Sequence, residues 1–261
     1  MASSREREPA LVNCLMLVRW PQRREMVQAA VASFVAQDHP NRTLTVVNDG
    51  APCALSAAFF GCGVGGRVLQ MPSPATLGEK RNAGVAAVPE AAYSASFDDD
   101  DVSLPERLSA NLRAMRSRRP PAAFLSASRK YIAIGAIDNI VGFELGRCYG
   151  AGMVAADVTD ALRWPSQDCF EDHSLYEAVV SHAELRSRVA EADELLYVHR
   201  RHASNVTAPH RKDMWQGVLP LQLAGPSATA APERVRAMLQ RHAGVAFLVD
   251  SEAGGESTGA T

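Results

Sequence analysis

The 261-residue chain has no Cys-x-x-Cys pair, no apolar run long enough to cross a bilayer and no surplus of basic residues. Each absence excludes a class of protein. The five cysteines, Cys14, Cys53, Cys62, Cys148 and Cys169, are an odd number without metal-ligand spacing. Neither a disulfide framework nor a zinc site is expected from them. The early apolar stretch from Leu11 to Val18 is far shorter than a spanning helix, and no small-residue cleavage pattern follows it. With 27 Lys plus Arg against 29 Asp plus Glu, the net charge is −2. That balance argues against a dedicated binder of nucleic acid or membrane surfaces. The expectation is a soluble, cytoplasmic protein with no transmembrane segment, in which the sequons at Asn41 and Asn205 are chance matches. A Walker lysine loop and a Gly-x-Ser-x-Gly elbow are also missing. Gly61 to Gly66 fits Gly-x-Gly-x-x-Gly, but Pro72 and Pro74 follow too soon for the helix that a dinucleotide fingerprint opens.

What is present is a 47% hydrophobic, 21% charged composition that supports a real core. Leu11 to Val18 reads as a buried parallel strand. Val27, Ala30, Val31, Phe34 and Val35 form one apolar stripe on a helix from Arg24 to Gln37. Pro40 ends that helix, and Thr43 to Val47 is the next strand. Strand, helix and strand in this order predict a mostly parallel sheet in an α/β fold. A short strand follows at Val68 to Met71, then a helix at Gly78 to Val88 and a strand at Tyr93 to Phe97. Pro105 opens a helix to Arg116. Phe124 to Phe143 suggests a small antiparallel ribbon. Asp172 to Ala192 reads as mostly helical, Leu195 to His199 as a strand, and Glu233 to Gln240 as a helix. The expected organisation is one domain over residues 1–217, a C-terminal extension over 218–250 and a disordered tail over 251–261.

The strand at Tyr93 runs directly into Asp98, Asp99, Asp100 and Asp101. Two like charges ~5 Å apart repel by about 3 kcal/mol at an effective dielectric of about 20. Four carboxylates at a strand end therefore call for compensation. A solvated acidic turn would supply it weakly; a divalent cation, magnesium or manganese, supplies it well. Ligands also bind beyond the carboxyl ends of strands in open α/β sheets. Magnesium commonly shares its coordination with substrate phosphates, which points to a nucleotide diphosphate. Lys80 and Arg81, on the preceding helix, are cations for that diphosphate or an ordinary solvated face.

Gly78-Glu79-Lys80-Arg81-Asn82, Phe97 to Asp101 and Leu104-Pro105-Glu106-Arg107-Leu108 together resemble the inverting family-two glycosyltransferases of the GT-A fold. Phe34 to Arg42 and Leu44 to Gly50 are similar to that family's first helix and second strand. The resemblance covers Val12 to Thr207 in the right order. It implies that Asp49 hydrogen-bonds the nucleobase and that Arg81, with Lys80, faces the donor. Asp98, with Asp99 beside it, would touch the ribose or metal. Asp100 would hold the metal that bridges both phosphates. Two departures fall near the base pocket: Leu17 to Pro21 replaces the usual Pro-Thr-x-Asn-Arg, and Asn48 stands where a second Asp is common.

Glu171-Asp172 opens a helix, where carboxylates are ordinary partners of the helix dipole. The same pair is similar to the family's Glu-Asp, in which the second acid is the general base that activates an acceptor hydroxyl. That role falls to Asp172, with Glu171 supporting it. Phe170 replaces the Gly often found before the pair. Tyr197 to His202 resembles the family's Tyr-x-x-Arg-x-His, which implies that His202 meets the metal or diphosphate and that Arg201 assists. Ala208 to Gly217 is either a lid or a basic surface loop. The expected activity is metal-dependent sugar transfer from a nucleotide-diphosphate donor to an acceptor hydroxyl, with inversion. A nucleotidyltransferase and a non-catalytic nucleotide-binding module are the alternatives.

Overall fold

The computed structural model describes residues 9–52, 65–203, 205 and 218–242. The expected lid at 208–217 and the tail at 251–261 lie outside them, as do Cys53 and Cys62. β1 (Val12–Val18) is buried along its whole length, as a strand covered on both faces should be. α1 (Arg24–Val35) presents Val27, Ala30, Val31 and Phe34 to the core. β2 (Arg42–Asn48) and β3 (Gly65–Gln70) follow, and β2 pairs with β1 in parallel. α2 (Leu77–Ala86) starts at a capping box made by Thr76 and Glu79, which satisfies its first free N–H groups. β4 (Tyr93–Ser96) pairs in parallel with the other edge of β1. β1, β2 and β4 thus send their carboxyl ends to one side of the sheet.

The second half is built differently. β5 (Val102–Ser103) and α3 (Arg107–Arg116) lead to two long strands, β6 (Phe124–Ile134) and β7 (Ile140–Ala155), paired antiparallel with register shifts. α4 (Ala156–Ala161), α5 (Glu171–Ser181), β8 (Val189–Ala192) and β9 (Tyr197–Arg201) complete it. The sheet order is β3-β2-β1-β4-β7-β6-β9-β5, with β8 on β6 and β10 (Val218–Leu219) on β7. The ribbon expected to end at Phe143 runs on to Ala155. Gly142, Gly146, Gly150 and Gly152 obscure it in the sequence, because glycine weakens a strand pattern. Three of them have packing reasons: a Cβ on Gly142 would lie 2.3 Å from Leu219 O, one on Gly150 would lie 2.6 Å from Asp98 Oδ2, and one on Gly152 would lie 2.6 Å from Tyr149 O. The helix expected to reach Ala192 stops at Ser181, and Val189 to Ala192 pairs in parallel with β6 instead.

Residues 218–242 pack against the second half of the sheet. After the short α6 (Pro226–Thr229), α7 (Ala231–Arg241) buries Ala231, Val235 and Met238. They join one apolar cluster with Val102, Leu104, Tyr131 and Val198. Gln37, just past α1, is buried and donates to Leu104 O at 2.9 Å while accepting from Leu108 N at 3.1 Å. This clasp fixes the chain segment that leaves the acidic run. No helix among the described residues is long and apolar enough to cross a membrane.

Candidate active site

Asp49 follows the last residue of β2 and is fully buried. Its carboxylate accepts from Lys80 Nζ at 3.0 Å, Ala75 N at 3.2 Å, and Arg19 Nη2 and Nε at 2.7 and 3.4 Å. Burial opposes its charge, yet the Arg19 and Lys80 hydrogen bonds hold it down at about 2. Lys80 is buried and sits on Asp49, so its ammonium belongs to this pocket. The neighbouring Asn48 is a clasp. Its Oδ1 accepts from Trp20 N at 3.0 Å and Gly50 N at 2.9 Å, and its Nδ2 donates to Ala51 O at 2.7 Å and Gln70 Oε1 at 2.8 Å. An Asp here would turn those last two contacts into acceptor against acceptor, which accounts for the amide. A Cβ on Gly50 would lie 2.2 Å from Trp20 O, so the turn admits only glycine.

The acidic run lies beyond β4. Asp101 faces inward, accepting from Arg200 N at 2.7 Å, from Tyr197 Oη and from His199 Nδ1 at 3.0 Å. Burial raises its pKa, but these partners carry it below the ordinary value. Asp98 accepts from Tyr197 Oη at 3.1 Å and lies 3.6 Å from Arg81. Burial, then the charges of Asp101 and Asp100 acting against Arg81, push it up to about 7. Burial and Asp100 push Asp99 up to about 8 despite Arg23. The cluster is short of positive charge.

Asp100 gathers three neighbours on Oδ2: Arg23 Nη1 at 2.8 Å, His202 Nε2 at 3.1 Å and Asn205 Nδ2 at 3.3 Å. Arg23 also bonds Asp99 at 2.9 Å. Arg23 went unread in the sequence, where Arg23-Arg24 passes for a solvated helix start. A signal was available: a cation at a helix N-terminus is electrostatically misplaced unless something negative faces it. Arg201, expected beside the donor, pairs with Glu144 of β7 at 3.0 Å. Tyr197, His199 and Asn205 also escaped notice as partners of the run.

Arg81 joins the acidic run to the second acidic pair. Its buried guanidinium meets Glu171 Oε1 at 2.7 Å and Ser96 Oγ at 3.0 Å, besides Asp98. Glu171 is itself buried. Asp172, the next residue, is partly exposed and lines a small cavity with Leu15, Ser94, Ser96, Tyr149 and Trp164. Burial raises its pKa, Arg81 lowers it, Glu171 raises it, and the balance is upward. An acid tuned in this direction suits proton transfer.

α5 is welded to α2. Asn82 exchanges two hydrogen bonds with the Trp164 backbone, at 2.8 and 3.1 Å. Ser166 bonds Glu79 at 2.9 Å, and a Cβ on Gly78 would lie 1.8 Å from Pro165 O. The two non-glycine residues with positive φ among those described are Arg23, at 58°, and Phe170, at 61°. Both precede helices that face the site, and such strain clusters at functional positions. For Phe170 it gives a physical reason why glycine would be easier there.

Among the described residues no three His, Cys, Asp or Glu side chains form a ready-made metal cage. Asp98, Asp100 and His202 nonetheless offer oxygen and nitrogen donors beside an under-compensated cluster. That donor set fits a divalent ion completed by substrate phosphates.

No protein-family model and no curated protein sequence matches the chain. Solved structures do. Staphylococcus aureus TarS, residues 1–349, in complex with UDP-GlcNAc matches with TM-score 0.53 at 12% identity, over 94% of this chain and 74% of that one. Glucosyl-3-phosphoglycerate synthase from Mycobacterium tuberculosis, in complex with manganese, UDP and glucosyl-3-phosphoglycerate, matches with TM-score 0.53 at 13% identity, over 90% and 80%. Against another structure of TarS 1–349 the match spans 60% of that chain's length. The fold is GT-A-like, a mixed α/β sheet with flanking helices.

Proposed function

We propose that this protein is a nucleotide-sugar glycosyltransferase. The observation that carries the reading is the convergence of Asp49, the Asp98 to Asp101 run and Glu171-Asp172 beyond the carboxyl ends of β1, β2 and β4, with Arg81 bridging the last two. The fold neighbours that hold UDP-GlcNAc, UDP and manganese support it.

In this reading the nucleoside lies against the Asp49 pocket and the ribose beside Asp98. Asp98, Asp100 and His202 would hold a magnesium or manganese ion, with Asp99 adding charge beside them. The ion would neutralise charge on the departing diphosphate. Arg23 and Asn205 keep Asp100 in place. Asp172 takes the proton from the acceptor hydroxyl as that oxygen attacks the anomeric carbon from the face opposite the diphosphate, so configuration inverts. Glu171, fixed by Arg81, orients its neighbour. The barrier falls through alignment of the attacking hydroxyl and through charge placed where it develops.

The test is a panel of nucleotide sugars with manganese, magnesium or EDTA, read by release of nucleoside diphosphate. Turnover that requires metal, and a product anomer opposite to the donor by NMR, are expected. Tight nucleotide binding without turnover for any donor would favour a non-catalytic module.

A further inference from the structure

The Asp49 pocket presents donors, not an acceptor. An ionised carboxylate offers about four lone-pair sites. Asp49 receives four N–H groups, from Lys80, Ala75 and twice from Arg19, and its side chain is 0% exposed. A uracil ring would bring its N3–H to a carboxylate with nothing left to accept it. Of the two cations on Asp49, Arg19 is the one solvent reaches, its side chain 45% exposed against 5% for Lys80. The Nε–Nη2 edge of its guanidinium lies on Asp49. Because the group is planar, its other edge, Nη1 and the second Nη2 proton, faces away as a two-donor fork.

We infer that Arg19 selects a donor whose base carries two adjacent acceptors, the O6/N7 edge of guanine or the O2/N3 edge of cytosine, over one carrying uracil. A fork of parallel N–H groups matches two neighbouring acceptors, and the guanine edge is the commonest specific partner of Arg. Uracil separates its two carbonyls by the N3–H. Adenine sets the N6 amino donor beside N7. Neither offers the fork a pair. Asp49 then acts through Arg19, holding the fork flat, and Lys80 neutralises the remaining half of the carboxylate. The inference rests on the reading of this pocket as the base site, and it differs from the UDP held by the fold neighbours.

Calorimetric titration of the full chain with GDP, CDP, UDP and ADP, in manganese, tests it. GDP or CDP should bind at least about tenfold tighter than UDP and ADP, within the range a good bidentate pair gives. The two arms separate guanine from cytosine. Arg19→Lys keeps a cation on Asp49 but loses the fork, and Arg19→Ala removes both. Each should bring the four nucleotides to within about threefold of one another; Arg19→Lys, which keeps a cation on Asp49, should also keep circular dichroism and melting close to wild type and so controls for folding. UDP binding as tightly as GDP and CDP overturns the base preference while the donor site stands. A preference that survives both substitutions also overturns it. Binding of none of the four removes the donor-site reading and the preference with it.

Discussion

Asp49 and the Asp98 to Asp101 run stand at the carboxyl ends of the two strands that flank β1, and their surroundings are opposite. Asp49 is met by Lys80, Arg19 and a backbone N–H, and is held at about 2. Asp98 and Asp99 share Arg81 and Arg23 among four carboxylates, and are driven up to about 7 and about 8. One pole is neutralised by the chain itself and is finished before any ligand arrives. The other stores a deficit of positive charge that an incoming cation would remove. The contrast teaches where each part of a donor would be read: the finished pole by hydrogen-bond pattern, the unfinished pole by charge.

The largest effect should come from neither pole but from Asp172, next to the Glu171 that Arg81 ties to the acidic run. Asp172→Asn keeps the shape and cannot accept the proton. Transfer should fall by about 10² to 10⁴, with donor affinity near wild type by titration; wild-type turnover would place the base elsewhere. Arg81→Gln should come next. It leaves Glu171 buried without its cation, which costs about 3–5 kcal/mol, read as a lower urea midpoint. An unchanged midpoint would mean that the bridge is not structural.

Asp100→Ala sharpens the contrast directly. Manganese-dependent donor affinity should fall at least about 100-fold, beyond what loss of an outer-shell partner costs. Affinity measured in EDTA should barely move. The mirror experiment at the finished pole is Asn48→Asp, which sets two acceptors against the new carboxylate. A destabilisation of about 1–3 kcal/mol by chemical denaturation is expected, with metal dependence intact.

The poles should also answer pH with opposite signs. Asp98 and Asp99 stand above their ordinary 3.8, so between there and about 8 the folded chain binds more protons than the unfolded one. Their contribution to stability is full below about 4 and is lost as pH rises through about 7 to 8. Asp49 contributes fully above 3.8 and loses its part as pH falls through about 2. Melting in EDTA should therefore decline from about pH 5 to about pH 8. Added manganese should raise the midpoint more at the higher pH, because it competes with protons for the same oxygens. A flat profile would refute the deficit.

The first half of the fold was legible because a parallel strand covered on both faces must be continuously apolar, as Leu11 to Val18 is. The acidic residues were legible for the converse reason, since nothing in a core wants them. β7 was not, because its glycines answer to neighbours such as Leu219 and Asp98 that only tertiary packing brings near. Arg23 and Arg19 were passed over, and the partner of Lys80 was not foreseen, for one reason: a cation's partner is chosen by distance in space. Thus Lys80, read as a cation for the diphosphate or part of a solvated face, sits 31 residues away from the Asp49 it touches.

The weld between α2 and the loop before α5 has a kinetic consequence. Where a Cβ on Gly78 would lie 1.8 Å from Pro165 O, no layer of side chains separates the two segments to act as a bearing. Arg81 on α2 also grips Glu171 at 2.7 Å, at the start of α5 and next to Asp172, so the two helices are held together on both sides of that loop. In the catalytic reading these groups would start each turnover already aligned, and the chemical step would carry little entropic penalty for bringing them together. An opening that admitted a donor would then come from other segments and leave this alignment undisturbed.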